Sequence, residues 1–215
     1  MRTFNLLVAA FAILQCFRYA RRALLFLSPA VRVWGESGAA PRSARRLRLG
    51  TSLEELGFTP LGVKHERSAL GALDAQDDVY ASVERAAFAD VIEPRRGAGP
   101  GVVFFTPFED GAAVLTATFP RRAIATERVQ AGGIPDAPLE AVLAAHEVAV
   151  QRFTVRHGKP AVTAELEARL AAAKAWFQGE GRRELRRAHA SAFAILLFGL
   201  ALFASAVNIL LRGDR

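Results

Sequence analysis

Apolar residues fall along this chain in three regimes. At each end they run almost unbroken, and between the ends they recur first at strand spacing and then at helix spacing. The C-terminal run, Ala188–Leu211 (AHASAFAILLFGLALFASAVNILL), has His189 and Asn208 as its strongly polar side chains. About 20 apolar residues in a helix cross a hydrocarbon core roughly 30 Å thick, so a transmembrane helix is predicted over 188–211. The N-terminal run, Thr3–Phe17 (TFNLLVAAFAILQCF), is shorter. Its length as a helix is about 22 Å, enough to span if Arg2 and Arg18 snorkel and the bilayer thins. A retained membrane helix is therefore predicted over 1–17. A cleaved signal peptide fits less well, because the small-x-small triplet Ala10-Phe11-Ala12 lies inside the apolar run and arginines follow it. A lipoprotein signal ending at Cys16 would place bulky Gln15 where a small residue is wanted.

Two such helices in one chain would pair. Helical spacing puts Asn5, Ala9, Ala12 and Cys16 on one face of the first, and Ala190, Ala194, Leu197, Ala201, Ser205 and Asn208 on one face of the second. Small residues let membrane helices approach closely, and a carboxamide in hydrocarbon needs a partner. An antiparallel hairpin would place Asn5 opposite Asn208.

Residues 18–50 are expected to hold an interfacial helix over Tyr19–Val33, followed by a flexible basic linker carrying Arg42, Arg45, Arg46 and Arg48. The central domain, 51–180, begins with capping-box spacing between Ser52 and Glu55. Strand patterns follow over Phe58–His65, Val79–Arg85 and Ala87–Glu93. The runs Gly101–Phe108 and Ala112–Phe119 flank Glu109-Asp110-Gly111, which predicts a hairpin turning at Asp-Gly. Arg95–Gly101 reads as a loop. Beyond Gly132-Gly133 the period changes to helical over Pro138–Val155 and again over Thr163–Phe177. The fold class is α+β: a small antiparallel sheet of three to five strands packed with helices and flanked by N- and C-terminal transmembrane helices.

Charge adds an orientation. Residues 51–180 hold 13 Lys/Arg and 18 Asp/Glu, a net of −5, while the rest of the chain holds 15 and 3, a net of +12. Arg18, Arg21 and Arg22 follow the first apolar run, and Arg182, Arg183, Arg186 and Arg187 precede the second. Both clusters flank the central domain and mark lipid headgroup level, so the positive-inside rule places that domain in the cytoplasm of a bacterial inner-membrane protein. The acidic middle argues against nucleic acid, which needs a basic folded face. One cysteine allows neither an intrachain disulfide nor a multi-cysteine metal site.

Candidate chemistry is thin. His146-Glu147 opens like a zincin helix, but Val150 occupies the place of the second histidine. Asp77-Asp78 and Glu109-Asp110 are adjacent acids of the kind found in turns. The serines lack a nucleophile-elbow context. The pattern predicts no catalytic residue, no metal ligand and no cofactor.

The stretches Leu53-Glu-Glu-Leu-Gly-Phe-Thr-Pro-Leu-Gly62 and Phe105-Thr-Pro-Phe-Glu-Asp-Gly-Ala-Ala-Val-Leu-Thr-Ala-Thr118 resemble parts of uncharacterised bacterial membrane-anchored proteins. The resemblance implies a small α+β domain beside the membrane, with no activity to carry over. The expected function is a non-enzymatic module whose partners are the lipid bilayer and another protein, with homo-oligomerisation open. The competing expectations are a membrane-bound hydrolase whose site forms only in three dimensions, and a periplasmic anchored domain.

Overall fold

The computed structural model describes residues 2–38, 43–68, 71, 73–93 and 99–212, with the side chains of Arg2, Asn5, Leu210 and Arg212 outside the description. The chain is α+β and divides into two compact units. One comprises residues 1–31, 67–73 and 177–215, and the other residues 32–66 and 74–176.

The first unit is dominated by α1 (Arg2–Leu27) and α5 (Glu180–Arg212). Gly179 separates α5 from the helix before it.

The second unit is built on a sheet whose strands are β1 (Val31–Glu36), β2 (Thr59–Ser68), β3 (Asp74–Ser82), β4 (Ala87–Ile92), β5 (Gly101–Pro107), β6 (Ala113–Ala117), β7 (Ile124–Ala125) and β8 (Val129–Gly133). Their order is β1-β2-β3-β4-β5-β6-β8-β7. The ladders from β3 to β6 are antiparallel, with Ala89 opposite Phe104 and Phe104 opposite Thr116. β6 and β8 run parallel.

Helices cover both faces, which is why β5 reads as a near-continuous apolar run and β4 is buried along almost its whole length. On one face Tyr80, Ala87, Ala89, Val91, Val102 and Phe104 pack with Leu53 of α2 (Ala44–Glu55) and with Val142 and Leu143 of α3 (Leu139–His157). On the other, Ala81, Phe88, Val103, Phe105, Leu115 and Ala131 meet Ala168, Ala172 and Trp176 of α4 (Leu166–Gln178). At the β5–β6 turn, Gly111 takes φ +84° and the Ala112 N–H is accepted by Asp110 Oδ1 at 2.9 Å.

Several expectations need correction. Among the described residues the sheet has eight strands and is mixed, against three to five antiparallel ones. β1 falls where the interfacial helix was expected to end, and α1 continues unbroken to Leu27. α2 begins eight residues before Ser52, capped by Ser43, whose Oγ accepts from the Arg46 N–H at 3.3 Å. Its arginines suggested a solvated linker, yet Arg46, Gly50 and Leu53 form its buried stripe. β8 carries Gly132-Gly133, read as a loop. A Cβ at Gly133 would lie 2.0 Å from the Phe119 carbonyl oxygen, so the strand tolerates no side chain there. Arg42, and residues 94–98 of the expected Arg95–Gly101 loop, lie outside the described residues. Among the described residues one helix, over Glu180–Ile209, is long and apolar enough to cross a membrane. The pair of flanking spans is therefore reduced to one, because the apolar part of α1 is interrupted at Arg18 after 15 residues.

Candidate membrane-anchoring hairpin

α1 and α5 pack antiparallel along a seam of small residues. A Cβ added at Gly199 would lie 2.9 Å from Cys16 Sγ and 3.5 Å from the Ala12 carbonyl oxygen. Cys16 Sγ also approaches the Leu196 carbonyl oxygen at 4.0 Å. Further along, Phe26 stacks on Phe193 with ring centroids 4.6 Å apart. Ala9, Ala12 and Ala23 are buried on α1, as are Ala192, Gly199 and Ala206 on α5. Ala9, Cys16 and Ala23 recur every seven residues, and so do Ala192, Gly199 and Ala206. A seven-residue period keeps one stripe facing its partner over the length of the pair.

The expected α5 face is thus displaced. Ala190, Ala194, Leu197, Ala201, Ser205 and Asn208 all point outward and are exposed. The side chain of Asn5 lies outside the description, so its expected pairing with Asn208 rests on no contact, and exposed Asn208 is turned away from the seam. Large apolar side chains share the outward surface, with Phe17 78 % and Leu211 70 % exposed. Arg18, Arg21 and Arg22 lie on exposed α1 positions. Glu180, buried at the start of α5, accepts from Arg183 at 3.2 Å and from Arg187 at 2.9 Å. Arg182 and Arg186 are exposed.

Among the described residues, the candidate polar groups of the second unit are held in separate local contacts. His146 is fully buried on α3 between Thr106 of β5 and Thr116 of β6, at 2.9 and 3.0 Å. Thr106 donates its hydroxyl proton to the Ala86 carbonyl at 2.7 Å. It must therefore accept from His146 Nε2–H, which leaves Nδ1 to accept from Thr116. Burial lowers the His146 pKa to about 3. The ring is a neutral, fully bonded strut. Its neighbour Glu147 instead pairs with Arg85 at 2.6 Å, beside an open depression of about 510 Å³ lined also by Gln151 and Thr154.

The adjacent acids separate in the same way. Asp78 faces α2 and accepts from Arg46 Nε at 3.0 Å, while Arg46 also donates to the Gln76 and Val91 carbonyls. Asp77 faces α4, where Lys64 Nζ lies 3.0 Å from it, 2.9 Å from Asp90, and against Glu66. Arg169 of α4 grips Asp90 with both arms of its fork, at 3.0 and 2.5 Å, and its guanidinium lies 4.6 Å from the Phe105 ring centroid. Burial opposes charge throughout this cluster. Attraction to Arg169 and Lys64 outweighs it at Asp90 and holds that pKa down, and three carboxylates hold the Lys64 pKa up. At Asp77 burial prevails and raises the pKa to about 7. Asp110 is exposed and meets His157 at 2.8 Å; the Ala112 N–H and then His157 hold its pKa low. Glu109 is exposed. Among the described residues no three His, Cys, Asp or Glu are grouped to hold a metal ion.

The sequence had no signal for the Lys64–Asp77–Asp90–Arg169 cluster, because its members come from four elements. Nor was the α5 seam singled out, since Ala194 and Ala201 share the seven-residue spacing of Ala192, Gly199 and Ala206. No family model matches the chain, and no curated protein or solved structure is significantly similar to it, so the resemblance of Leu53–Gly62 and Phe105–Thr118 carries no assignment.

Proposed function

We propose that this is a non-enzymatic protein of the bacterial inner membrane, anchored by the α1–α5 hairpin and presenting its α+β domain in the cytoplasm as an interaction module. One observation carries the reading: the hairpin is inside out for a water-soluble protein. From Ala9 to Cys16 on α1 and from Gly199 to Ala206 on α5 its seam is lined by Ala, Cys and Gly, while Phe4, Leu6, Leu7, Phe11, Leu14 and Phe17 of α1 and Leu197, Phe198, Leu200, Ile209 and Leu211 of α5 face outward. Only 17 % of the most apolar stretch of α5 is buried, where a soluble core helix would be mostly buried. Leaving eleven such side chains in water forgoes on the order of 10 kcal/mol or more of transfer free energy. Lipid recovers it. α1 enters the bilayer as the partner of α5 rather than as an independent span.

The arginine bias supports the cytoplasmic side. The interaction role is supported by the way the candidate acids and histidines are dispersed among separate local bonds.

The test combines extraction with labelling. The full chain should stay in the membrane pellet after alkaline carbonate treatment. A single cysteine at Val155, which is 87 % exposed, in a Cys16→Ala background should react with an impermeant maleimide only after spheroplasts are permeabilised. Release into the supernatant would overturn the anchor, and labelling of intact spheroplasts would overturn the orientation.

A further inference from the structure

We propose that the bilayer boundary on the hairpin is set by α1, at the level of Arg18 and Arg22, whose guanidinium groups bind the phosphates of anionic phospholipids. Hydrocarbon then covers only the hairpin tip, Thr3–Phe17 against roughly Phe198–Leu211, and not the whole apolar run of α5. This rests on the anchor reading and assigns its depth and its lipid partner.

The register carries the inference. Cys16 lies opposite Gly199, and Phe26 stacks on Phe193. The first contact pairs residues whose numbers sum to 215 and the second residues whose numbers sum to 219. Between them, Arg18 is level with about Phe198 and Arg22 with about Ile195. The apolar run of α5 starts earlier, at Ala188, which puts about 14 Å of it alongside the charged half of α1. A bilayer drawn around that whole run would immerse Arg18, Arg21 and Arg22, and Arg18 and Arg22 occupy exposed positions. Charged side chains at that depth are expensive.

The composition of α5 changes at the same level. Ala188–Ala194 (AHASAFA) is small and weakly apolar, while Ile195–Leu211 is dominated by Leu, Ile, Phe and Val. Two independent features thus mark one boundary. The tip provides about 22 Å of apolar length against roughly 30 Å of hydrocarbon. Arginines at the rim close the gap by extending their stems outward to phosphate, and guanidinium pairs with phosphate bidentately.

Arg186 lies beyond the end of α1, about 13 Å further out than the level of Arg22, more than a Debye length at physiological salt. Arg183 and Arg187 are engaged by Glu180. The arginines nearest α5 in sequence are therefore not the ones that meet the headgroups.

Spin labels on single cysteines at Ala190, Ala194, Ala201 and Ser205, all outward-facing, test this in the Cys16→Ala full chain. Vesicles of phosphatidylethanolamine and phosphatidylglycerol serve as the bilayer, with depth read from oxygen against nickel-chelate accessibility. The expected result has Ala201 and Ser205 in hydrocarbon, Ser205 deepest, and Ala190 and Ala194 accessible to the nickel chelate. Arg18→Gln with Arg22→Gln should draw the Ala194 label inward, whereas Arg186→Gln with Arg187→Gln should leave it unmoved. Replacing phosphatidylglycerol by phosphatidylcholine should likewise draw it inward. Labels at Ala190 and Ala194 as deep as those at Ala201, or a depth insensitive to Arg18 and Arg22, would overturn the boundary. A depth unchanged by the lipid swap would overturn the phosphate contact. Four water-accessible labels would overturn the anchor itself.

Discussion

At the scale of single residues the second unit spends its polar groups on itself, and two of them write opposite signatures into its pH dependence. His146 has its folded pKa lowered from 6.5 to about 3 by burial. The unfolded chain takes up a proton there first, so stability is lost as pH falls from about 6.5 towards 3. Asp77 has its folded pKa raised from 3.8 to about 7, burial outweighing Lys64. The folded state keeps a proton that the unfolded state has released, so this contribution is complete below about pH 4 and disappears as pH rises to about 7. The slopes oppose one another between pH 4 and 6.5. Asp77→Asn, which keeps an acceptor for Lys64 without the charge, should gain about 1–3 kcal/mol on the native chain between pH 5 and pH 8, read from urea midpoints at the two pH values. His146→Ala leaves a cavity and two buried hydroxyls short of a partner. It should cost about 3 kcal/mol and remove the acid-side slope in the same titration. Neither role was legible in the sequence. Asp77-Asp78 looked like a turn, and the partners of His146 lie 30 and 40 residues away in the chain.

At the scale of elements, close approach is the common device. Gly50 lets α2 settle over Tyr80, whose Oη would lie 2.4 Å from an added Cβ, and Gly199 does the same for α1 on α5. The α1 stripe of Ala9, Ala12 and Cys16 could be read from helical spacing. α5 carries two stripes of small residues at the same seven-residue spacing, and only the contacts of Gly199 with Cys16 and Ala12 show that α1 packs on Ala192, Gly199 and Ala206 rather than on Ala194 and Ala201. Cysteines at Ala9 and Ala206, in a Cys16→Ala chain, should cross-link on oxidation, whereas the pair at Ala9 and Ala201 should not. Gly199→Leu overpacks the seam by about 1–3 kcal/mol, and the Ala9–Ala206 yield should fall several-fold. The hairpin turning at Asp110-Gly111 was readable because its turn chemistry is local. β7 and β8 were not, since Ile124–Ala125 is two residues long and Val129–Gly133 ends in two glycines.

For the whole molecule, the charge pattern runs with the division of the chain. The acidic stretch 51–180 and the basic remainder broadly follow the division into units. Among the described residues, the apolar clusters on both sheet faces and around Phe108 and Phe153 are formed by side chains of the second unit. Residues 32–176 expressed alone should therefore be soluble and melt cooperatively, with near-ultraviolet circular dichroism lost in one step. A broad, non-cooperative melt would show that the domain depends on its anchor. The α+β class was legible from the change of period along the chain. The strand count was not, because β1 straddles the expected end of an interfacial helix at Val33 and the start of a glycine-rich linker at Gly35.

The Cys16–Gly199 contact also has a consequence in time. Cys16 and the Leu196 carbonyl it approaches are 180 residues apart in the chain, so α1 leaves the ribosome long before the helix it packs against. In the anchor proposed above, α1 alone has neither the length nor the freedom from charge to settle in lipid. The hairpin would then close only once α5 is made, and a chain broken off short of Gly199 would keep a domain able to fold beside an α1 without its partner.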